Sequence, residues 1–332
     1  MTGPSDSHPR PAVPRNKLGR IAWCAPALGV ALVASGMGTT GAVASPRGVT
    51  PTVAEPVAVA GPVARREAFP LERENARLDR RLDAAMQEHG WSDLVARGDL
   101  AVALVDLSGP QLRYAGVNDD AMIYAASLPK IAILLGAFDA IEDGDLAWTP
   151  QLGTELVDMI RVSSNAAATS VLHRVGFERI ASAVQEMPHR LYEPEDGGLW
   201  VGKAYGRNDY WRRDPVGNTS HGATARQAAR FFVLLQKGML VSPDASAQMK
   251  EILGDPGIRH KFVRGLGDRP GLNIYRKSGT WRDYHADAAL VEDNGRTYVA
   301  VGLARHADGS RLLEELIVSL DGLVEIPTNT LD

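Results

Sequence analysis

Apolar positions along the chain alternate between two spacings. Leu71, Leu78, Leu82 and Met86 recur on one side of a helical turn and predict a helix over 71–89, closed by Gly90 or Gly98. The run 100–106 is short and apolar, as expected of a strand; Ser108-Gly109-Pro110 then makes a turn, and 111–117 returns as a hairpin. Ile131, Leu134, Leu135 and Phe138 predict a deeply buried helix that starts near Ser127, with Pro129 tolerated in its first turn. Helical spacing continues over 153–162, 166–174, 177–187, 223–238 and 243–254. Three further strands are readable at 272–279, 284–292 and 297–304, and an amphipathic helix closes the chain over 310–323. Residues 188–222 carry Gly, Pro, Trp and Tyr without a period and read as a long functional loop.

Helix, two strands, a block of helices, three strands and a last helix together predict an α+β fold. Its expected form is a five-stranded antiparallel sheet built from both ends of the chain and flanked by helices, with an inserted all-helical subdomain. The catalytic cleft is expected between the two parts.

The N-terminal 44 residues have a different character. Arg10, Arg15, Lys17 and Arg20 precede an apolar run from Ile21 to about Met37, and Ala42-Val43-Ala44 offers a small-residue cleavage site. Residues 1–44 therefore read as an export signal peptide, with an uncleaved membrane anchor as the alternative. The expected location is secreted or periplasmic. Residues 45–66, rich in Pro, Val and Ala, read as a flexible linker; 67–325 form the globular domain and 326–332 a tail. The single cysteine, Cys24, falls inside the apolar run, so a cleaved chain has no disulfide to form. The chain is 45% hydrophobic with a formal charge of −4, a balance that suits a folded core and supplies no electrostatic reason to bind nucleic acid.

Three short motifs carry the chemistry: Ser127-Leu128-Pro129-Lys130, Ser163-Ser164-Asn165 and Lys277-Ser278-Gly279-Thr280. A serine and a lysine three residues apart share a helix face, so the amine can activate the hydroxyl without histidine. Burying Lys130 beneath an apolar helix lowers its pKa and suits it to act as base for Ser127. Ser163 can relay a proton to the leaving nitrogen. Asn165 can bind Lys130 and a substrate amide, or simply cap the helix that follows it. Lys277, with Ser278 or Thr280, can hold a substrate carboxylate, and Gly279 permits close backbone approach. The backbone N–H groups of Ser127 and Thr280 can form an oxyanion hole. No H-E-x-x-H or C-x-x-C pattern points to a metal.

In this order the motifs read S-x-x-K, S-x-N and K-[TS]-G, and over roughly Leu71 to Leu323 the chain resembles class A β-lactamases and their penicillin-binding relatives. The resemblance implies an exported, monomeric serine hydrolase without cofactor that opens a β-lactam amide through a Ser127 acyl-enzyme. Two alternatives stand beside it: a peptidase or esterase directed at peptidoglycan or another small amide, and a non-hydrolysing penicillin- or peptidoglycan-binding module.

Two features depart from the family pattern. Ser127 and Ser163 stand closer together in sequence than is usual, implying a reduced helical subdomain. The deacylating glutamate is expected in an E-x-x-x-N loop; its closest match is Tyr192-Glu193-Pro194-Glu195-Asp196-Gly197, with glycine at the asparagine position. Glu193 is thus the candidate base for the deacylating water, ahead of Glu195 and Glu186. Trp200, Tyr205, Tyr210 and Trp211, with Lys203, Arg207, Arg212 and Arg213, could line a substrate wall or pack on the helical block. His221 and His285 are further candidates for the cleft.

Overall fold

The computed structural model describes residues 71, 75–186, 188–206 and 210–324. The expected signal peptide, linker and tail lie outside the described residues. Asn75 accepts a hydrogen bond from the Leu78 N–H and caps α1 (Ala76–Glu88), so the first helix starts at its cap rather than at residue 71. There follow α2 (Ser92–Ala96), β1 (Leu100–Asp106), β2 (Arg113–Val117), β3 (Ile123–Tyr124), α3 (Lys130–Glu142), α4 (Pro150–Arg161), α5 (Asn165–Val175) and α6 (Phe177–Gln185). The middle of the chain adds β4 (Tyr192–Glu193), β5 (Gly197–Gly198), β6 (Trp200–Val201), β7 (His221–Ala223), α7 (Ala225–Gln236), α8 (Pro243–Leu253) and α9 (Phe262–Leu266). Finally come β8 (Leu272–Trp281), β9 (Tyr284–Asp293), β10 (Arg296–Arg305) and α10 (Gly309–Leu323).

The main sheet has the order β2-β1-β10-β9-β8 and is antiparallel throughout, as the element order predicted. β1 is apolar at successive positions because both faces of the sheet are covered. Leu100, Val102 and Leu104 pack in one core with residues of α1 and α10. Ala101, Ala103 and Val105 pack in the other with residues of α3 and α7. The same alternation along β9 sends Ala286 and Ala288 to the α3–α7 side and Ala289 to the α1–α10 side. α3 is buried almost all round, including Lys130, which makes it the central helix of the helical side. β8 is an edge strand of this sheet, so the backbone groups of its outer margin have no strand partner.

The expected long loop 188–222 contains structure of its own. β4 pairs with β5, and β3, β7 and β6 form a small sheet. Trp200 and Tyr205 are buried. Trp211 stacks between Trp200 at 5.6 Å and Phe177 of α6 at 5.4 Å. These aromatic residues thus pack on the helical block, while Tyr210 stays exposed beside Lys203. Arg207 lies outside the described residues.

Candidate active site

The chain enters α3 through a tight turn. Lys130 N–H bonds the Ser127 carbonyl and Ile131 N–H that of Leu128, both i→i+3, so Ser127 stands before the first residue of the α-helix rather than within it. Ala126, at φ 51°, reverses the chain just ahead of it. Gly279 of β8 presses on this turn: a Cβ there would stand 2.1 Å from the Ala125 carbonyl oxygen and 2.8 Å from the Ser127 nitrogen. Only glycine lets the edge strand and the serine turn approach this closely.

Lys130 reaches the loop between α4 and α5. Its Nζ lies 2.7 Å from the Ser163 carbonyl, 2.9 Å from Asn165 Oδ1 and 3.3 Å from Ser163 Oγ. Ser163 has φ 58°, a left-handed conformation uncommon for serine, and it turns both oxygens of that residue toward the amine. The cap of α5 is Ser164, whose hydroxyl accepts from the Ala167 N–H at 3.1 Å. The capping role considered for Asn165 therefore falls to its neighbour, and the Asn165 side chain serves Lys130. From the sheet side Lys277 Nζ donates to Ser163 Oγ at 3.0 Å and to the Ser278 carbonyl at 2.6 Å. Among the described residues the Ser127 hydroxyl makes no hydrogen bond and is partly exposed to the cleft.

Both lysines are buried, at 0% and 1% exposure, and no carboxylate hydrogen-bonds either nitrogen among the described residues. Loss of hydration lowers the Lys130 pKa from 10.5 to about 7. Lys277 is pushed well below its ordinary value by burial, then by the Lys130 and Arg276 charges, against an opposing pull from Asp287. Lys130 is accordingly far more readily neutral near pH 7 than a free lysine and can take a proton.

The other members of the third motif divide between the two faces of β8. Ser278 pairs with Asp287 and Thr280 with His285. Asp287 accepts the Phe262 N–H and His285 packs on Gly309, so this is the face toward α9 and α10. The Thr280 hydroxyl accepts from Lys261 Nζ at 2.9 Å. The side chains of Ser278 and Thr280 are therefore not aimed with Lys277 at the helical side, contrary to the sequence expectation that one of them joins it there. What Thr280 offers the cleft is its backbone. Lys261 Nζ touches both the Gly279 carbonyl at 2.6 Å and the Ala286 carbonyl at 3.1 Å, which requires both oxygens to face the β8–β9 gap. Backbone direction alternates along a strand, so the Thr280 N–H points out of the open edge, beside Ser127.

A model of the β-lactamase enzyme family matches residues 149–320, just over half of the chain. The chain belongs to that family.

The matched span of this β-lactamase-family protein holds Ser163, Asn165 and Lys277 and begins after Ser127 and Lys130; the hydrogen bonds of Lys130 tie the two parts together. The fold is similar to that of the β-lactamase from Sphaerobacter thermophilus DSM 20745, with 16% identity, a TM-score of 0.57 and coverage of 74% of this chain and 94% of that one. It is equally similar to PBP-A, with 21% identity, a TM-score of 0.57 and coverage of 76% and 97%. A variant of PBP-A in acyl-enzyme complex with penicillin G matches at 21% identity and a TM-score of 0.58, with the same coverage. At these identities the likeness establishes the fold. No protein of curated function matches the chain in sequence.

Within this family site, Glu193 is not where the sequence reading needs it. Its carboxylate pairs with Arg190 at 2.8 Å, and it lines a pocket of about 230 Å³ with Glu195, Asp196, Arg226 and Arg230, none of which belongs to the lysine cluster. Glu186 bonds Ser182 on the exposed end of α6. The group laid against Lys130 is the ring of Tyr205, with Nζ 4.6 Å from its centroid. His221 stacks on the same ring at 4.1 Å. It is buried, both ring nitrogens lack a hydrogen-bond partner among the described residues, and burial with the Lys203 and Lys130 charges pushes its pKa down to about 3. It is a neutral wall of the site, packed on the ring that faces Lys130. His285 lies on the opposite face of the sheet and leaves the site altogether.

Sequence reasoning missed Lys261 and the buried Arg276–Asp287 pair, whose atoms approach to 2.7 Å. For the pair a signal existed: once 272–281 and 284–293 form a hairpin about Arg282 and Asp283, positions 276 and 287 fall on one face. For Lys261, just before a helix too short to show a period, there was none.

Proposed function

We propose that the chain hydrolyses a β-lactam or similar strained amide through an acyl-enzyme on Ser127. The observation that carries this reading is the convergence of Lys130 and Lys277 on Ser163 Oγ beside the partly exposed Ser127. Neutral Lys130 turns from the Ser163–Asn165 cluster and takes the Ser127 proton as Oγ bonds the substrate carbonyl carbon. The oxygen that becomes negative lies between the N–H groups of Ser127 and Thr280. As the C–N bond breaks, the proton passes from Lys130 through the Ser163 hydroxyl to the leaving nitrogen. Lys277 keeps that hydroxyl in place and offers N–H donors to an anionic group of the substrate, such as a carboxylate, whose charge favours the protonated amine. Water then completes hydrolysis of the ester, with Lys130 as the group that accepts its proton. The sequence of residues 1–44 supports export of the enzyme, with 45–66 as its linker to the globular domain.

A second reading has its own support. Lys130, among the described residues, faces an aromatic ring and amide and serine oxygens but no carboxylate. Without an acid to orient water, the Ser127 ester is long-lived and the protein acts as a penicillin-binding acceptor, or on a peptidoglycan-like amide. Labelling with a fluorescent penicillin, followed by nitrocefin turnover, separates the readings. Label on the wild type and none on Ser127→Ala supports the acyl-enzyme; equal label on both overturns it. Multiple turnovers of nitrocefin support the hydrolase, and a single stoichiometric burst supports the acceptor.

A further inference from the structure

Lys261 is fully buried and precedes α9 with φ 53°. Its ammonium has no carboxylate within ion-pair distance among the described residues: Asp287 is held by Arg276 and the Phe262 N–H. Its partners are the Gly279 carbonyl at 2.6 Å, the Thr280 hydroxyl at 2.9 Å and the Ala286 carbonyl at 3.1 Å. A neutral donor would tie these strands together at a smaller desolvation cost, so a buried cation here calls for a use of its charge.

The use lies in the peptide unit that it touches. The Gly279 carbonyl and the Thr280 N–H belong to one trans peptide and point in opposite directions, the oxygen at Lys261 and the N–H at the open edge beside Ser127. A cation at the oxygen end withdraws density from the nitrogen and makes the N–H a stronger donor. We propose that Lys261 is a positioning residue that polarises the Gly279–Thr280 peptide and so strengthens the Thr280 arm of the oxyanion hole. Burial lowers its pKa only to about 8, with Asp287 opposing the fall, so the charged form still dominates at pH 7. The proposal rests on the Ser127 acyl-enzyme reading above and adds a residue that never touches substrate.

The test compares full-length wild type, Ser127→Ala, Lys261→Met and Lys261→Gln. It measures the rate of labelling by fluorescent penicillin, the infrared stretch of the acyl-ester carbonyl formed with penicillin G, and the melting temperature. Removing a whole oxyanion donor slows reaction about 10²–10³-fold, so weakening one is expected to slow acylation of Lys261→Met roughly tenfold. The ester stretch is expected to move to higher wavenumber while the melting temperature holds or rises. Wild-type rate and stretch in the variant overturn the proposal. A slower rate with an unmoved stretch and a lowered melting temperature also overturns it, since that pattern marks a purely structural lysine. If Lys261→Met does not fold, Lys261→Gln, which keeps a donor without the charge, is read by the same stretch: raised supports, unmoved overturns. Failure of the wild type to label at Ser127 overturns the acyl-enzyme reading itself, whereas a labelled wild type matched by its Lys261 variants overturns this proposal alone.

Discussion

Lys277 donates a hydrogen bond of 3.0 Å to Ser163 Oγ, joining residues 114 positions apart across the cleft between the edge strand and the helices. The same hydroxyl lies 3.3 Å from Lys130 Nζ, so one small side chain separates two buried amines. Replacing it leaves both amines short of an acceptor. Ser163→Ala is therefore expected to slow acylation by about 10²-fold or more through loss of the proton relay. It is also expected to lower stability by about 1–3 kcal/mol. Stopped-flow acylation and chemical denaturation check the two effects; wild-type acylation would remove Ser163 from the mechanism.

Lys130 sets a pH dependence. The reactive form is the neutral amine, and its pKa is lowered to about 7 by burial, so the acylation rate should rise as pH increases through about 7 and then level off. Stability follows with a definite sign. Between pH 7 and 10.5 the unfolded lysine binds a proton that the folded one does not, so the cost of burying it is full below pH 7 and fades as pH rises toward 10.5. Lys130→Met should be more stable than wild type at pH 7, with the difference shrinking at higher pH. Denaturation curves across that window read it directly.

Gly279→Ala tests the approach of strand and turn. Its Cβ would meet backbone atoms on both near contacts, which cannot swing aside as a flexible side chain would. Loss of penicillin labelling and a destabilisation of about 1–3 kcal/mol are expected. Gly109→Ala, whose Cβ meets only the Gln111 oxygen at 3.7 Å, should behave as wild type.

Glu193→Gln should leave nitrocefin turnover within about twofold of wild type, because the carboxylate is spent on Arg190. That partly exposed pair is worth roughly 0.2–1 kcal/mol, so a small drop in stability is the only expected change. A large fall in turnover would restore Glu193 to the reaction.

The elements that the sequence made legible were those whose pattern is local. α3, α7, α8 and α10 carry an apolar period over several turns, and the β8–β9–β10 meander shows three strand-length runs parted by short turns. The start of α3 shifted to Lys130 because Pro129 lacks an N–H and the preceding bonds close on i→i+3 carbonyls. α2 and α9 are one turn or so in length and could not register a period. For the aromatic residues of 188–222 the sequence left a substrate wall and packing on the helical block both open, because the deciding partners, Phe177 for Trp211 and Lys130 for Tyr205, are remote in sequence.

By itself the sequence determined the fold class, the order of strands and helices, and the kinds of side chain at the site, because periodicity and motif chemistry are properties of neighbouring residues. Only the tertiary structure decided which of those side chains meet. Burial, which lowers the Lys130 pKa to about 7, is a property of the packed core rather than of any tetrad. The commitment of Glu193 to Arg190, the ring of Tyr205 under Lys130, and Lys261 behind Gly279 all depend on distances closed by the fold. Hydrogen bonds and desolvation act over a few ångströms, and few of the pairs that they join here are neighbours in the chain.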